Sequence, residues 1–327
     1  MIRRILVPLD GSPLAESTLP HAAALADAFR AEVCLLRVLE PGRVGGLTAD
    51  SLEMRLQRRE VGAYLEGLAT SLRATGATVT VAVNEGRAAE EIVRRVQEDE
   101  VDLVIASTWG QGGPSDFGLG GTARKLVAGG HTSIMLIRPL TPPVGGPGKP
   151  VQYGRIVVPV DGSRRADWAL CLAACIARNQ GSELVLVHVV AVPEAPARLP
   201  PQPLEDRLRR QLVKLSRTAA EQYLDEMQGL FQGSDLAIRW KVVVAPRVPD
   251  ALLRTARIER AGLVVMSAHG ASDEMPWPYG SVAAGLLSHC DRPLLVFQDR
   301  PPARRRPDAV GAERLEANIP AAYDAAR

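Results

Sequence analysis

No stretch of the sequence reaches the ~18 consecutive apolar residues that a membrane-spanning helix requires. The longer apolar runs, such as the one from Leu184 to Val192, are interrupted (here by His188) and are strand-sized. A membrane is therefore not expected as a partner. The opening MIRRILVPLD holds too few apolar residues before Pro8 and Asp10 to form the apolar core of a secretion signal. Neither sign of charge is in excess: 39 Lys and Arg stand against 37 Asp and Glu, a net charge of +2. A balance that small leaves no electrostatic footprint for nucleic acid. Cysteine is scarce, with Cys34, Cys171, Cys175 and Cys290 in apolar contexts and no CxxC. Without an export signal these read as reduced thiols of a cytoplasmic protein. Cys171 and Cys175 are one helical turn apart, but no His or Cys nearby completes a set of metal ligands. They read as small core residues, and no metal site is expected.

What is present is ordinary for a globular protein: 46% hydrophobic and 23% charged residues. That composition excludes a wholly disordered chain, a collagen-like fibre and a disulfide miniprotein. A length of 327 residues suggests two domains.

The chain repeats itself. ILVPLDGS (Ile5–Ser12) recurs as IVVPVDGS (Ile156–Ser163), and EVCLLRVLE (Glu32–Glu40) as ELVLVHVVA (Glu183–Ala191), both at an offset of 151. DLVIASTWG (Asp102–Gly110) returns as GLVVMSAHG (Gly262–Gly270), and SIMLI (Ser133–Ile137) as PLLVF (Pro293–Phe297), at an offset of 160. The matches keep their order, so each half reads as a whole domain. Residues 1–138 form the first and 155–299 the second. The Pro- and Gly-rich stretch 139–154 reads as a linker, and 300–327, opening with PPARRRP, as a disordered tail.

Each half alternates strands and helices. In the first, Ile5–Leu9 is followed by Ser12 as helix cap and Pro13 as first helical residue. Leu14, Thr18, Ala22, Leu25 and Phe29 then predict one helix, and Leu52 to Leu72 mark a longer one. Val33–Leu39, Val79–Val83, Leu103–Ala106 and Ile134–Ile137 are the further strands, with a third helix at Ala88–Val96 and a short one from about Thr122. Strands without polar alternation are buried on both faces, which means a parallel sheet between helices. Right-handed crossovers make it doubly wound, with ligands beyond the carboxyl ends of the strands where the strand order reverses.

Two features of each half fall at that place. Asp10 and Asp161 follow the first strand directly, and a Gly-rich loop follows the fourth. In the second half this loop runs Ser267-Ala268-His269-Gly270, then nine residues, then Gly280-Ser281 at a helix start. Backbone N–H groups there, with a hydroxyl, form an anion site, and the carboxylate opposite suits a ribose diol. The parts describe a nucleotide pocket. The bland alternatives stay open beside it: a carboxylate favoured by the helix dipole, a capped turn, and for His269 a loop contact rather than a catalytic base. Trp109 and Trp277 suit either a pocket wall or a cover over apolar loop surface.

VPVDGS (Val158–Ser163), VVMSAHG (Val264–Gly270) and GSVAAGLLSHCDRPLLVF (Gly280–Phe297) resemble the universal stress protein family in its tandem, two-domain form. The resemblance covers both halves. It implies a cytoplasmic, stress-associated protein of flavodoxin-like (HUP-type) topology, with a five-stranded parallel sheet of order 3-2-1-4-5 in each half. Many members bind ATP and some do not. The implied adenine-nucleotide contacts are Asp161, Val189, Ser267, His269, Gly270, Gly280 and Ser281 in the second half. In the first they are Asp10, Val38, Gly110, Gly121 and Thr122. Strand-two backbone at Val38 or Val189 would hold the adenine, and Mg2+ is an expected companion of the phosphates. The departures weaken phosphate binding. Ser107 and Ser267 replace the first Gly of the G-x2-G-x9-G-[ST] pattern, and Pro246 replaces a strand-three Gly that Gly86 keeps. Asp116, Asp273 and Glu274 add negative charge. An offset of 160 pairs Gly120 with Gly280 and loses the hydroxyl, whereas Gly121-Thr122 recovers it one residue late. The second half is therefore the preferred site.

A Walker A loop is absent, and Arg138 and Gln298 stand where a response-regulator receiver needs Lys. The apolar fifth strands, with Leu136 and Leu295, lack the charged residues that protect a sheet edge. They predict a pseudo-dimer in which the two halves pair through these strands. A homodimer stays open as a further assembly. The function expected is that of a nucleotide-binding stress sensor or regulator with at most slow ATP hydrolysis. The alternative is an interaction scaffold of the same fold that binds no nucleotide.

Overall fold

The computed structural model describes residues 2–40, 51–113, 118–130, 132–138, 149–193, 203–271 and 278–299. Most of the expected linker, the tail from residue 300, and Asp116, Asp273, Glu274 and Trp277 lie outside the described residues. The described residues divide into two compact units, 2–152 together with 295–299, and 153–294.

The first unit runs β1 (Arg4–Pro8), α1 (Pro13–Glu16), α2 (Leu19–Phe29), β2 (Glu32–Leu39), α3 (Ser51–Arg73), β3 (Val79–Glu85), α4 (Ala88–Glu98), β4 (Leu103–Ser107), α5 (Gly121–Gly129), β5 (Ser133–Ile137). Its strands lie side by side in the order β3-β2-β1-β4-β5. The pairing is parallel, with Ile5 opposite both Val33 and Leu103, and Leu103 opposite Ser133. Successive residues Ile5, Leu6 and Val7 are all buried, as are Leu103, Val104 and Ile105. Neighbours on a strand point to opposite faces, so both faces of this sheet are covered.

The second half of the sequence repeats the plan: β6 (Arg155–Pro159), α6 (Arg164–Gln180), β7 (Glu183–Ala191), α7 (Pro203–Gly229), β8 (Ile238–Ala245), α8 (Val248–Ile258), β9 (Leu263–Ser267), α9 (Ser281–His289), β10 (Leu294–Phe297). Its order is β8-β7-β6-β9-β10, with Ile156 opposite both Leu184 and Leu263. Tyr153, which composition places in the linker, is fully buried, and its N–H donates to Gln180 Oε1 at 2.9 Å.

The single helix expected over Leu14–Phe29 is two helices. Pro20 has no N–H to offer Glu16, and its ring crowds the carbonyl of that residue. The chain turns at Ser17 and Thr18, whose hydroxyls donate to the carbonyls of Leu14 and Ala15 at 2.6 Å each. Cys171 stands in the place of Pro20 in the second half, and α6 runs unbroken. Ser12 caps as predicted, accepting from Ala15 N at 3.1 Å, and its counterpart Ser163 accepts from Ala166 N at 3.2 Å.

Candidate functional site

The strand order reverses at β1 and β4, and again at β6 and β9, so each sheet opens a crevice beyond the carboxyl ends of those pairs. Asp10 and Asp161 project there and are latched in the same way. Asp10 Oδ1 accepts from Ser12 N at 3.0 Å and from Ser12 Oγ at 2.5 Å, and Oδ2 accepts from Gln111 N at 2.7 Å. Asp161 Oδ1 accepts from Ser163 N and Oγ at 3.0 and 2.6 Å, and Oδ2 from Ala271 N at 2.8 Å. The carboxylate thus ties the end of the first strand to the loop after the fourth. It lies flat on the glycine before that amide: a Cβ placed on Gly110 or Gly270 would run into Oδ2, far inside van der Waals contact. Of about four lone-pair positions on a carboxylate, three are used within the chain. A ribose diol meets one remaining acceptor position rather than two empty oxygens.

The serines in the first Gly position of the loop pattern shape the turn. Ser107 Oγ donates to Trp109 O at 2.6 Å and Ser267 Oγ to His269 O at 2.7 Å. Both hydroxyls are spent on loop backbone. Gly120 and Gly280 cap the following helices with matching backbone angles, φ −65° and −66°. Their N–H groups donate to Thr108 O and Ala268 O at 2.7 and 2.8 Å. Gly120 is therefore the structural counterpart of Gly280. The first half lacks a hydroxyl where Ser281 opens α9, and Thr122 comes one residue later.

A cavity of about 490 Å³ lies at the first crevice. Its lining brings together Asp10, Val38, Ser107, Gly110, Gly121 and Thr122, six residues singled out from the sequence. Two residues that sequence reading missed also line it: Arg37 on β2 and Arg124 in the first turn of α5. Trp109 forms part of the wall, with the Arg138 guanidinium 5.4 Å from its ring centroid and Arg138 Nη2 donating to Gly118 O at 3.1 Å. Behind the wall, Tyr64 of α3 donates to Glu16 Oε1 at 2.7 Å. Burial and that carboxylate raise the tyrosine hydroxyl's pKa. Tyr64→Phe is expected to cost about 1 kcal/mol of stability, read by urea denaturation; a variant with unchanged midpoint would show the bond idle.

The second half places Asp161, Ser267, Gly270, Gly280 and Ser281 around the matching crevice, but its furnishing differs. His188 replaces Arg37 and Ala284 replaces Arg124. Burial lowers the pKa of His188, so a neutral ring stands where the first half has a guanidinium. His269 is buried, at 3% exposure, and the buried Tyr279 takes the place of cavity-lining Leu119. Val189 sits on β7 opposite Val243. Residues 272–277 of this loop are outside the described residues.

A tandem pair of doubly wound α/β domains, each with an acid latched across the switch point to a glycine loop, is the class of protein this chain represents. The model of the universal stress protein family matches residues 1–138 and 152–298, and the chain belongs to that family. Universal stress protein Rv1996 of Mycobacterium tuberculosis is 26% identical over 319 residues, covering 89% of this chain and 94% of the relative. Among solved structures, a universal stress protein from Archaeoglobus fulgidus is 17% identical with a TM-score of 0.62, covering 91% of this chain and 98% of that one. PA1789 from Pseudomonas aeruginosa, described as functionally unknown, is 18% identical with a TM-score of 0.58, covering 97% of each chain. At these identities the solved structures speak for the fold alone. No helix among the described residues is long and apolar enough to cross a membrane.

Proposed function

We propose that the first-half cleft binds an adenine nucleotide of the ATP type and that the protein serves as a stress-response sensor or regulator. The carrying observation is the cavity of about 490 Å³ lined by Arg37, Arg124 and the start of α5. That volume is in the range of small-molecule sites. The amides opening α5 and the two guanidiniums suit phosphates, the wall near Val38 suits the base, and the last acceptor position of Asp10 suits one sugar hydroxyl. This reading moves the preferred site from the second half to the first, where the cations are. A magnesium ion would enter held by the phosphates, since the described residues form no group of three or more His, Cys, Asp and Glu suited to a metal. Hydrolysis is slow at most, because the latched Asp10 is the one carboxylate among the described lining residues, which include no imidazole.

Calorimetry with ATP, ADP and AMP tests the proposal. Saturable binding is expected, weakened about tenfold or more by Arg124→Ala and by Arg37→Ala, the worth of one charge-assisted hydrogen bond. Binding indifferent to both substitutions sinks the site assignment. Silence with every nucleotide leaves the second reading, an interaction scaffold. That reading is favoured by one observation: each latch aspartate is already engaged by its own chain.

A further inference from the structure

A row of solvent-exposed leucines runs along α7. Leu204, Leu208, Leu212 and Leu215 are 67%, 56%, 52% and 69% exposed. The helix packs on β7 and β8 through another face, where Ala220, Leu224 and Met227 are buried. At 3.6 residues per turn the four leucines fall within an arc of about 80°, and that buried face lies about 130° away. An arc so narrow is the width of a helix–helix seam; a helix lying in a bilayer surface presents a broader apolar face.

One edge of the row is basic, while exposed Glu205, about 20° beyond Leu212, borders the other. Arg207 and Lys214, one heptad apart, line one edge of the row, with Arg210 beside them, and all three are exposed. Among the described residues none of the three forms a salt bridge, whereas Arg209 pairs with Asp206 and Arg217 with Glu221. Two copies of this face set antiparallel about a two-fold would bring the same cations against each other. A carboxylate-bearing flank relieves all three.

The repeat shows how the row arose. Leu52, Glu53, Arg55, Leu56 and Arg58 of α3 match Leu204, Glu205, Arg207, Leu208 and Arg210 at an offset of 152, while Tyr64 matches Tyr223 at 159. Between these two matches α7 carries seven more residues than α3, close to two full turns, which keeps the matched segments in phase. The lengthened stretch carries Leu212 and Leu215 and so extends the seam.

We propose that this face of α7 docks an amphipathic helix of another protein, with an apolar seam and acidic flanking positions. The proposal is independent of the nucleotide site. The probe is a labelled synthetic helix with leucine at heptad positions a and d and glutamate at e and g, titrated with the full chain and read by fluorescence anisotropy. A second peptide carries lysine at e and g. The glutamate peptide is expected to bind at least about tenfold more tightly than the lysine peptide. Leu208→Ser with Leu212→Ser is expected to weaken it by a further factor of about ten or more without moving the thermal unfolding midpoint, since both side chains are on the surface. Arg207→Glu with Lys214→Glu is expected to reverse the preference between the peptides. Equal binding of both peptides, or of neither, overturns the proposal. So does a concentration-dependent dimer in light scattering that the leucine pair abolishes, which assigns the face to a second copy. Co-sedimentation with phosphatidylglycerol vesicles, lost in the same variant, assigns it to a lipid surface and likewise overturns the proposal.

Discussion

Gly110→Ala is expected to lower stability by about 2–4 kcal/mol, and Gly270→Ala by a similar amount. Neither glycine is needed for its backbone angle, since neither has a positive φ. Each is needed for space: the added methyl would occupy the position of Asp10 Oδ2 or Asp161 Oδ2. The carboxylate must then swing away and give up the amide of Gln111 or Ala271, leaving a charge-assisted hydrogen bond unmade in addition to the strain of the insertion. Gly112 is the control. It lies in the same loop, a Cβ there meets nothing within 4 Å, and its φ is not positive. Gly112→Ala is expected to be neutral or slightly stabilising, by up to about 1 kcal/mol, through the unfolded state. Urea denaturation followed by circular dichroism reads all three. If Gly110→Ala and Gly112→Ala share a midpoint, the latch does not hold the loop.

The second large effect is expected at the opposite end of the second sheet. Glu259 is buried, with 9% of its side chain exposed. Its Oε2 accepts from Arg239 Nη2 at 2.5 Å and its Oε1 from Lys241 Nζ at 3.1 Å, while its backbone carbonyl accepts from Arg155 Nη1 at 2.5 Å. Glu183 completes the cluster by bridging Arg155 Nε at 2.6 Å and Arg239 Nε at 2.8 Å. The Arg239 bond, aided by Lys241, holds the Glu259 carboxyl below its ordinary pKa despite burial. Glu259→Gln keeps the shape and removes the charge. A loss of about 1.5–3 kcal/mol is expected, toward the lower end because Arg239 and Lys241 are each more than a third exposed. The pH dependence has a definite sign. A carboxyl whose pKa is depressed by folding contributes fully above its unfolded value of 4.5, and that contribution disappears as pH falls through the lower folded value. Wild type is therefore expected to lose stability below about pH 4.5 more steeply than Glu259→Gln, and the two curves should converge in acid. A gap that stays constant down to about pH 3 would falsify the role assigned to the charge.

Much of the fold was legible because the signals are local. Uninterrupted apolar runs announced buried parallel strands, Ser12 announced its helix, and the two offsets announced the duplication. The break between α1 and α2 was missed although Pro20 was in plain view. The apolar positions on either side of it keep helical spacing, and spacing alone does not register a lost N–H. The cleft was legible in its loop residues, which form a contiguous motif. Arg37 and Arg124 were not, because one sits on a strand and the other inside a helix, and only the parallel pairing of β1 with β2 and the turn into α5 bring them to one place. The preference for the second half rested on His269 and the Gly280-Ser281 pair. Burial of a ring depends on packing from elements distant in sequence, so His269 carried no warning of it.

The shared duty of the latch aspartates has a consequence for selectivity. With Oδ1 committed to a serine and Oδ2 to a loop amide, a sugar finds a single vacancy on Asp10, so its second hydroxyl gains little there. If the cleft holds ATP as proposed, it is expected to prefer ATP to its 2′-deoxy counterpart by roughly one ordinary hydrogen bond, about tenfold or less. Under the proposed nucleotide reading, discrimination would rest on the phosphate end, where Arg124 and the amides opening α5 stand, and would report phosphorylation state more than sugar identity.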